Sequence, residues 1–426
     1  MTAISAPTPA ASRAGARLSA LARTTAHRGL PSSQSAPIVI LGGGPIGLVC
    51  ALLLARQGFA SRLVDARPLE ALQRDRRLLA LSRGTLQVLE SLLGPAFAPM
   101  APIERVQVSS HGELGSTRLG AQEFGGLAVG ATIWYADLVA ALGRAVAQQA
   151  RILIQRPRRA LNVLQSVDGV RVALDDGSQL EGALAVDAEG SPPRLREPEH
   201  FALLADLDFV HGSSADAIER FTREGPLALL PVPDPASVPV VANRAAPRSS
   251  CSTHMSMIWC LRASLARSRK DMVDAELLEC VARALGPRIG APTHIGERSV
   301  FPLITHRLRR ICEHRLVHLG NAAQSLHPVA GQGFNLGIRD CVGLVESLID
   351  AEVLERGDPL VALEKYRARR RLDRAIVPAL TSALPRVFSS SVAPLAVARS
   401  SALLALDLVP VLRREFTRLL MFGAPR

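Results

Sequence analysis

Lysine, aromatic side chains and paired cysteines are scarce in this sequence, and acidic residues are missing from its first 36 positions. Lys270 and Lys365 are the two lysines, so nearly all of the 50 basic side chains are arginine, with a formal charge of +12. A basic surface suits anionic lipid, an anionic cofactor or nucleic acid. The 4% aromatic content, with no nucleic-acid module in sight, argues against the last. None of Cys50, Cys251, Cys260, Cys280, Cys312 and Cys341 forms a CxxC pair. They read as small buried hydrophobes in a reducing compartment, with no metal site and no disulfide framework. No apolar run approaches the roughly 20 residues that span a bilayer. A secretory signal and an internal repeat are also missing. The acid-free, Ala/Ser/Pro/Arg-rich residues 1–36 read as a disordered or targeting-like extension. A mitochondrial presequence has that composition. So does a disordered bacterial tail, which the arginine bias favours.

What is present is a large apolar fraction, 48% of 426 residues, enough for two or three structural units. Order is expected from Pro37. Pro37-Ile38-Val39-Ile40-Leu41 is a continuous apolar run of the kind a buried parallel strand needs. A helix over Ile46–Gln57, closed by Gly58, and a second strand over Ser61–Asp65 complete a βαβ unit. Gly42, Gly44 and Gly47 between them make G-x-G-x-x-G. The first glycine permits the turn, the second lets the backbone approach a pyrophosphate, and the third lets helix and strand pack. Asp65, at the expected end of the second strand, is placed to accept hydrogen bonds from a ribose. Further on, residues 160–187 read as a β-meander turning at Asp175-Asp176-Gly177, and residues 137–149 and 271–285 as helices. From Pro359 the chain reads as helices broken by Pro378, Pro385, Pro394 and Pro410.

A second strand-to-helix turn follows the expected strand Arg315–Leu319: Asn321-Ala322-Ala323-Gln324, then His327-Pro328-Val329-Ala330-Gly331-Gln332-Gly333-Phe334-Asn335-Leu336-Gly337. A helix starting near Gly333 aims its positive end at an anion. In this stretch the chain resembles the FAD-dependent aromatic hydroxylases. Within them it is most similar to the ubiquinone-biosynthesis monooxygenases of the 2-polyprenyl-6-methoxyphenol hydroxylase branch, which share Asn321 and Gln324 where most relatives have Asp and His. Asp75, Arg77 and Ala80-Leu81-Ser82, Ala101-Pro102-Ile103, Val108-Ser109 with Gly112 and Gly115, Glu219-Arg220-Phe221, Gly225 to Pro231 and Phe301-Pro302-Leu303 extend the resemblance over roughly residues 37–422.

The resemblance implies an α/β fold: a Rossmann-like FAD-binding domain (37–105 with 150–200 and 300–355), an interleaved mixed or antiparallel β-sheet substrate domain (106–149 with 201–299) and a C-terminal helical region (356–426). It implies FAD as cofactor and NAD(P)H as co-substrate. Gly42, Gly44, Gly47 and Asp65 would hold the ADP half, and Arg77 would contact the nucleotide. Asn321 would bond the ribityl chain, and Gly331, Gly333 and the Asn335 backbone would lie against the isoalloxazine. The implied chemistry hydroxylates a prenylated phenol with molecular oxygen through a flavin C4a-hydroperoxide, in a dry pocket and without a catalytic triad. His327 is the candidate polar group beside the ring, with a structural role at Pro328 as its alternative. Asp340 is expected to pair with Arg339 or Arg370, and Arg367–Arg371 to be a solvated helix face or a lipid contact. The Leu/Val/Ala-rich residues 390–422, with interspersed arginines, suit a surface-lying amphipathic segment or a docking face for other quinone-biosynthesis proteins. The implied location is the bacterial cytoplasm, peripheral to the inner membrane, or else the mitochondrial matrix side.

Three departures stand out. In Asp187-Ala188-Glu189-Gly190, Glu189 replaces the family's Asp, the segment between Arg196 and Phe201 is short, and Tyr135 stands where relatives often have Asn or Arg. A flavin-binding scaffold that has lost turnover is therefore the competing reading. The missing W-x-W-x-I-P block argues against a tryptophan halogenase.

Overall fold

In the computed structural model the described residues are 36–111, 116–120, 126–190, 198–210, 215–234, 253–328, 331–356, 358–389, 401 and 404–424. Gly112, Gly115, Cys251, Val329, Ala330, Pro394 and, of the short segment between Arg196 and Phe201, Glu197 lie outside them.

Ile38–Leu41 pairs in parallel with Ser61–Val64 on one side and Leu184–Asp187 on the other. Its four residues are all buried, as a continuous Ile/Val/Leu run requires. The sheet extends in parallel to Ile152–Gln155 at one edge and Leu316–His318 near the other, which the antiparallel Cys312–Glu313 closes. The crossover helix is Pro45–Arg56. Proline at its first turn loses nothing, because that amide has no helical partner, and Gly58, at φ +90°, carries the chain out. The expected meander is present as Ala160–Gln165, Val170–Leu174 and Gln179–Gly182, and its turn residue Gly177 has φ +82°. Leu184–Asp187, the end of the same expected stretch, belongs instead to the parallel sheet.

The second sheet has eight strands built around His200–Phe209, Thr253–Arg262, Gly225–Pro231 and Asp216–Thr222. It is mixed, because Arg105–Ser110 runs parallel to Asp216–Thr222 while the other long pairs are antiparallel. One face carries Leu203, Leu207, Leu229, Met257 and Trp259, which pack on Leu277, Val281 and Leu285 of the Asp274–Leu285 helix. The other face turns toward the first sheet.

Two expectations need correction. Residues 130–147 were expected with the second sheet, but Ile133 and the Tyr135–Ala147 helix bury Leu138, Leu142 and Val146 in the same core as Ile40 and Leu63. Nor do Pro378 and Pro385 break the C-terminal region: Leu360–Ser389 is one helix of 30 residues. Each proline removes one amide donor, a loss of about 3 kcal/mol in a helix interior. Burial of Ala362, Leu363, Tyr366 and Val377 on the inner face outweighs it, and Thr381 Oγ1 donates to the Val377 carbonyl at 3.0 Å. Pro410 opens a helix, Pro410–Phe422, as an N-terminal proline should.

Candidate functional site

The first glycine loop follows from its backbone. Gly42 has φ +100°, and a Cβ there would lie 2.5 Å from the Ala188 carbonyl oxygen. A Cβ at Gly47 would lie 1.9 Å from the Gly42 oxygen. Both glycines are therefore demanded by the fold. Gly44 differs: its nearest neighbours are side-chain tips of Arg67 and Tyr135, at 3.5 Å, and its open side faces a cavity. It is also the N-cap of Pro45–Arg56 and, as a glycine, supplies no side-chain cap to that helix. Asp65 is 4% exposed. Its Oδ2 accepts from the Gly43 amide at 2.9 Å and from Arg156 at 3.3 Å, and its Oδ1 from the Arg67 amide at 2.8 Å.

The second loop repeats the device. Gly331, at φ +59°, is the N-cap of the Gln332–Asp350 helix, again with no side-chain cap. A Cβ at Gly333 would meet nothing within 4 Å. Asn335 staples the loop: its Oδ1 accepts from the Ser82 amide at 2.9 Å, and its Nδ2 donates to the Ala80 and Gly331 carbonyls at 3.0 and 2.8 Å. Beneath the loop, Asp340 Oδ2 accepts from the Gly320 amide at 3.1 Å, fixing the turn that carries Asn321. Asp340 Oδ1 accepts from Arg370 Nε at 2.7 Å. Arg370 Nη1 reaches Asp373 Oδ2 at 2.6 Å, and Arg339 bonds the same oxygen at 3.1 Å. Burial works against the Arg370 cation, yet Asp340 and Asp373 outweigh it and push its pKa up. Burial would raise Asp373, but Arg339, Arg370 and the Ala424 amide hold it low.

Both loops open on one cavity of about 750 Å³. Gly44, Arg67, Arg77, Asn321, Gly331 and Gly333 lie at one side; Val106, Leu204, Ala228 and Ile258 of the second sheet lie at the other, with Met421 of the last helix. Two uncapped helix N-termini thus face the same space, with arginines beside them. Arg77 pairs with Asp75 at 2.6 Å and lies over the Tyr135 ring, 4.9 Å from its centroid. Glu189 also lines the cavity. Burial, with the charges of Asp187 and Asp65, raises its pKa.

The profile of the family described as FAD binding domain matches residues 35–377, most of the chain. The chain belongs to that FAD-binding family. It is 30% identical over 407 residues to a protein named ubiquinone hydroxylase UbiL of Rhodospirillum rubrum, covering 91% of this chain and 90% of that one. It is 25% identical over 402 residues to the 3-demethoxyubiquinol 3-hydroxylase of Escherichia coli, covering 90% and 98%. Among solved structures, the HpxO protein of Klebsiella pneumoniae, complexed with FAD and uric acid, superposes with a TM-score of 0.66 at 15% identity over 93% of this chain and 99% of that one, a likeness of fold.

As a member of the FAD-binding family, the chain has residues that fit the cofactor. A Cβ would fill the open space at Gly44 and Gly333, and the two bare helix ends complement a pyrophosphate and an electron-rich ring. The structure brings Gly44, Arg77, Asn321, Gly331, Gly333 and Asn335 to this cavity; Gly42, Gly47 and Asp65 stand behind it. His327 does not line it. Burial and the nearby His200 push its pKa down to about 4, so it is neutral at pH 7, and its buried Nδ1 has no hydrogen-bond partner among the described residues.

Sequence reasoning missed the Asn335 staple, which only the contact with Ser82 reveals. It missed the Arg156–Asp65 pair, whose members are 91 residues apart. Arg367–Arg371, expected to be a solvated face, conceals Arg370 at 1% exposure. The 3.6-residue spacing of Tyr366, Arg370, Asp373 and Val377 on one helix face was the available signal.

Proposed function

We propose that this chain is an FAD- and NAD(P)H-dependent monooxygenase that hydroxylates a prenylated phenol of ubiquinone biosynthesis at a membrane surface. The observation that carries the reading is the single cavity in which both glycine loops meet an apolar sheet face. The relatives named as ubiquinone-biosynthesis hydroxylases supply the substrate class. The overall reaction consumes phenol, dioxygen, NAD(P)H and a proton, and yields the hydroxylated ring, water and NAD(P)⁺.

Bound FAD would supply the redox and oxygen-activating chemistry. The rest falls to the protein. Gly44 and the amides after it, with Arg77, hold the nucleotide half, while Gly42, Gly47 and Asp65 shape the turn that presents them. Asn321, Gly331, Gly333 and the Asn335 backbone hold the ring end, where the Gln332–Asp350 helix terminus favours negative charge. Val106, Leu204, Ala228 and Ile258 exclude water and enclose the phenol ring. Asp340 acts through Gly320 and is a positioning residue.

The test is turnover of a short-chain prenyl methoxyphenol by the FAD-loaded protein with NADPH and isotopically labelled dioxygen. The expected result is one labelled oxygen in the product, with NADPH oxidation stimulated by the phenol. Hydrogen peroxide release with an unchanged phenol would refute it. Glu189 at the cavity wall favours a second reading, a non-catalytic scaffold. If Glu189→Asp creates turnover that the parent chain lacks, the scaffold reading holds.

A further inference from the structure

The Pro410–Phe422 helix has two ends with opposite surroundings. Thr417, Leu420 and Met421 line the cavity, and Met421 packs with Ile103, Val129 and Ala217. At the other end Leu404, Leu408, Val409, Val411 and Leu412 are exposed, Leu408 at 68% and Val411 at 70%. They flank Val409, where a helical stretch over 404–408 gives way to the next helix. The joint is tied: the Val409 amide donates to Ala405, and the Arg413 amide donates to Val409. Five aliphatic side chains in nine residues make a concentrated apolar surface, which marks an interaction site more often than a bare solvent face. Arg413 and Arg414 follow it directly, on a chain with a formal charge of +12. No described helix is long and apolar enough to cross a membrane, so such a surface would lie on one.

We propose that residues 404–412 form a knuckle that inserts into an anionic lipid surface, with Arg413 and Arg414 at the headgroups, and that the helix carrying it is the wall through which a bilayer-dissolved phenol reaches the cavity. The second half of this statement rests on the prenyl-phenol reading above. Aliphatic side chains with adjacent guanidinium groups suit the boundary between acyl chains and anionic headgroups. The length is also right. From Leu412 to Leu420 the helix rises about 12 Å, at about 1.5 Å per residue, so a prenyl tail can remain in lipid while its ring enters the cavity.

The experiment is flotation of the FAD-loaded full chain with phosphatidylglycerol/phosphatidylcholine vesicles, and with phosphatidylcholine vesicles alone. The variants are Leu408→Ser with Leu412→Ser, and Arg414→Glu, all at exposed positions that leave the core intact. The parent protein is expected to float with the anionic vesicles. Binding should fall about tenfold in each variant and on neutral vesicles. Turnover of a short, water-soluble phenol should be unchanged in the double serine variant, while kcat/KM for a long-chain phenol presented in vesicles falls about tenfold. A parent protein that stays in the soluble fraction, or serine variants that float as well as the parent, would overturn the proposal. So would a variant whose change is in oligomeric mass on size exclusion, since the knuckle would then join two copies of the chain. If the parent protein fails on the short phenol, the hydroxylase reading falls, and flotation still decides the docking.

Discussion

Replacing Arg370 with methionine isolates the buried charge cluster that anchors the ring-side loop. Arg370 is 1% exposed and bridges Asp340, at 2.7 Å, and Asp373, at 2.6 Å. Methionine is similar in length and apolar, so packing against Gly343 is largely kept and the loss is electrostatic. Asp373 keeps its bond to Arg339, while among the described residues the hydrogen bond left to Asp340 is the one from the Gly320 amide. Removing one partner of a buried ion pair costs about 3–5 kcal/mol, chiefly from the carboxylate left behind. For a folded unit of this size that lowers the thermal midpoint by roughly 4–6 °C, as read by differential scanning calorimetry. Adding Asp340→Asn should recover about 1–2 kcal/mol, because the amide oxygen still accepts from Gly320 while the stranded charge is gone. Arg370→Lys should fall between, since one ammonium cannot reproduce two guanidinium bonds aimed at different carboxylates. A midpoint within about 1 °C of the parent, or no recovery in the double variant, would refute the reasoning.

Gly47→Ala and Gly44→Ala should separate the two functions of the first loop. The former collides with the Gly42 oxygen and should lower stability with or without FAD; the latter should leave the apo protein within about 0.5 kcal/mol but weaken FAD binding at least about tenfold by fluorescence titration. Asn335→Ala should cost about 2–4 kcal/mol in chemical denaturation, as it orphans the Ser82 amide and frees two carbonyls, and should speed FAD loss on dilution. His327 has its pKa depressed to about 4 from 6.5. Between those values the unfolded chain takes up a proton that the folded chain refuses, so stability is intact above pH 6.5 and falls toward pH 4. The loss is at most about 3 kcal/mol, and His327→Asn should flatten that window in denaturation measured against pH.

Local chemistry made the first βαβ unit, the Asp175-Asp176-Gly177 turn and the Gln332–Asp350 helix legible, because glycine loops, turn residues and apolar periodicity act over a few neighbours. The position of Gly47 was legible for the same reason, since a Cβ there collides with the Gly42 backbone of the same motif, whereas the clash at Gly42 comes from Ala188, far away in sequence. Pairings between distant segments were not. Nothing near Asp65 in sequence announces Arg156, and nothing near Asn335 announces the Ser82 amide. Pro378 and Pro385 misled because the buried face of their helix overrides a local penalty. His327 drew notice as a lone polar group in a glycine-rich stretch, but Leu326 and Pro328 on either side of it border the cavity and it does not.

The most direct test is a lipid-quinone profile by mass spectrometry in a ubiquinone-deficient strain lacking the 2-polyprenyl-6-methoxyphenol hydroxylase, with and without this gene. Restored ubiquinone, lost again with Gly44→Ala, is the predicted result. Persistence of the prenyl-methoxyphenol intermediate, although the protein is expressed and loaded with FAD, would contradict it.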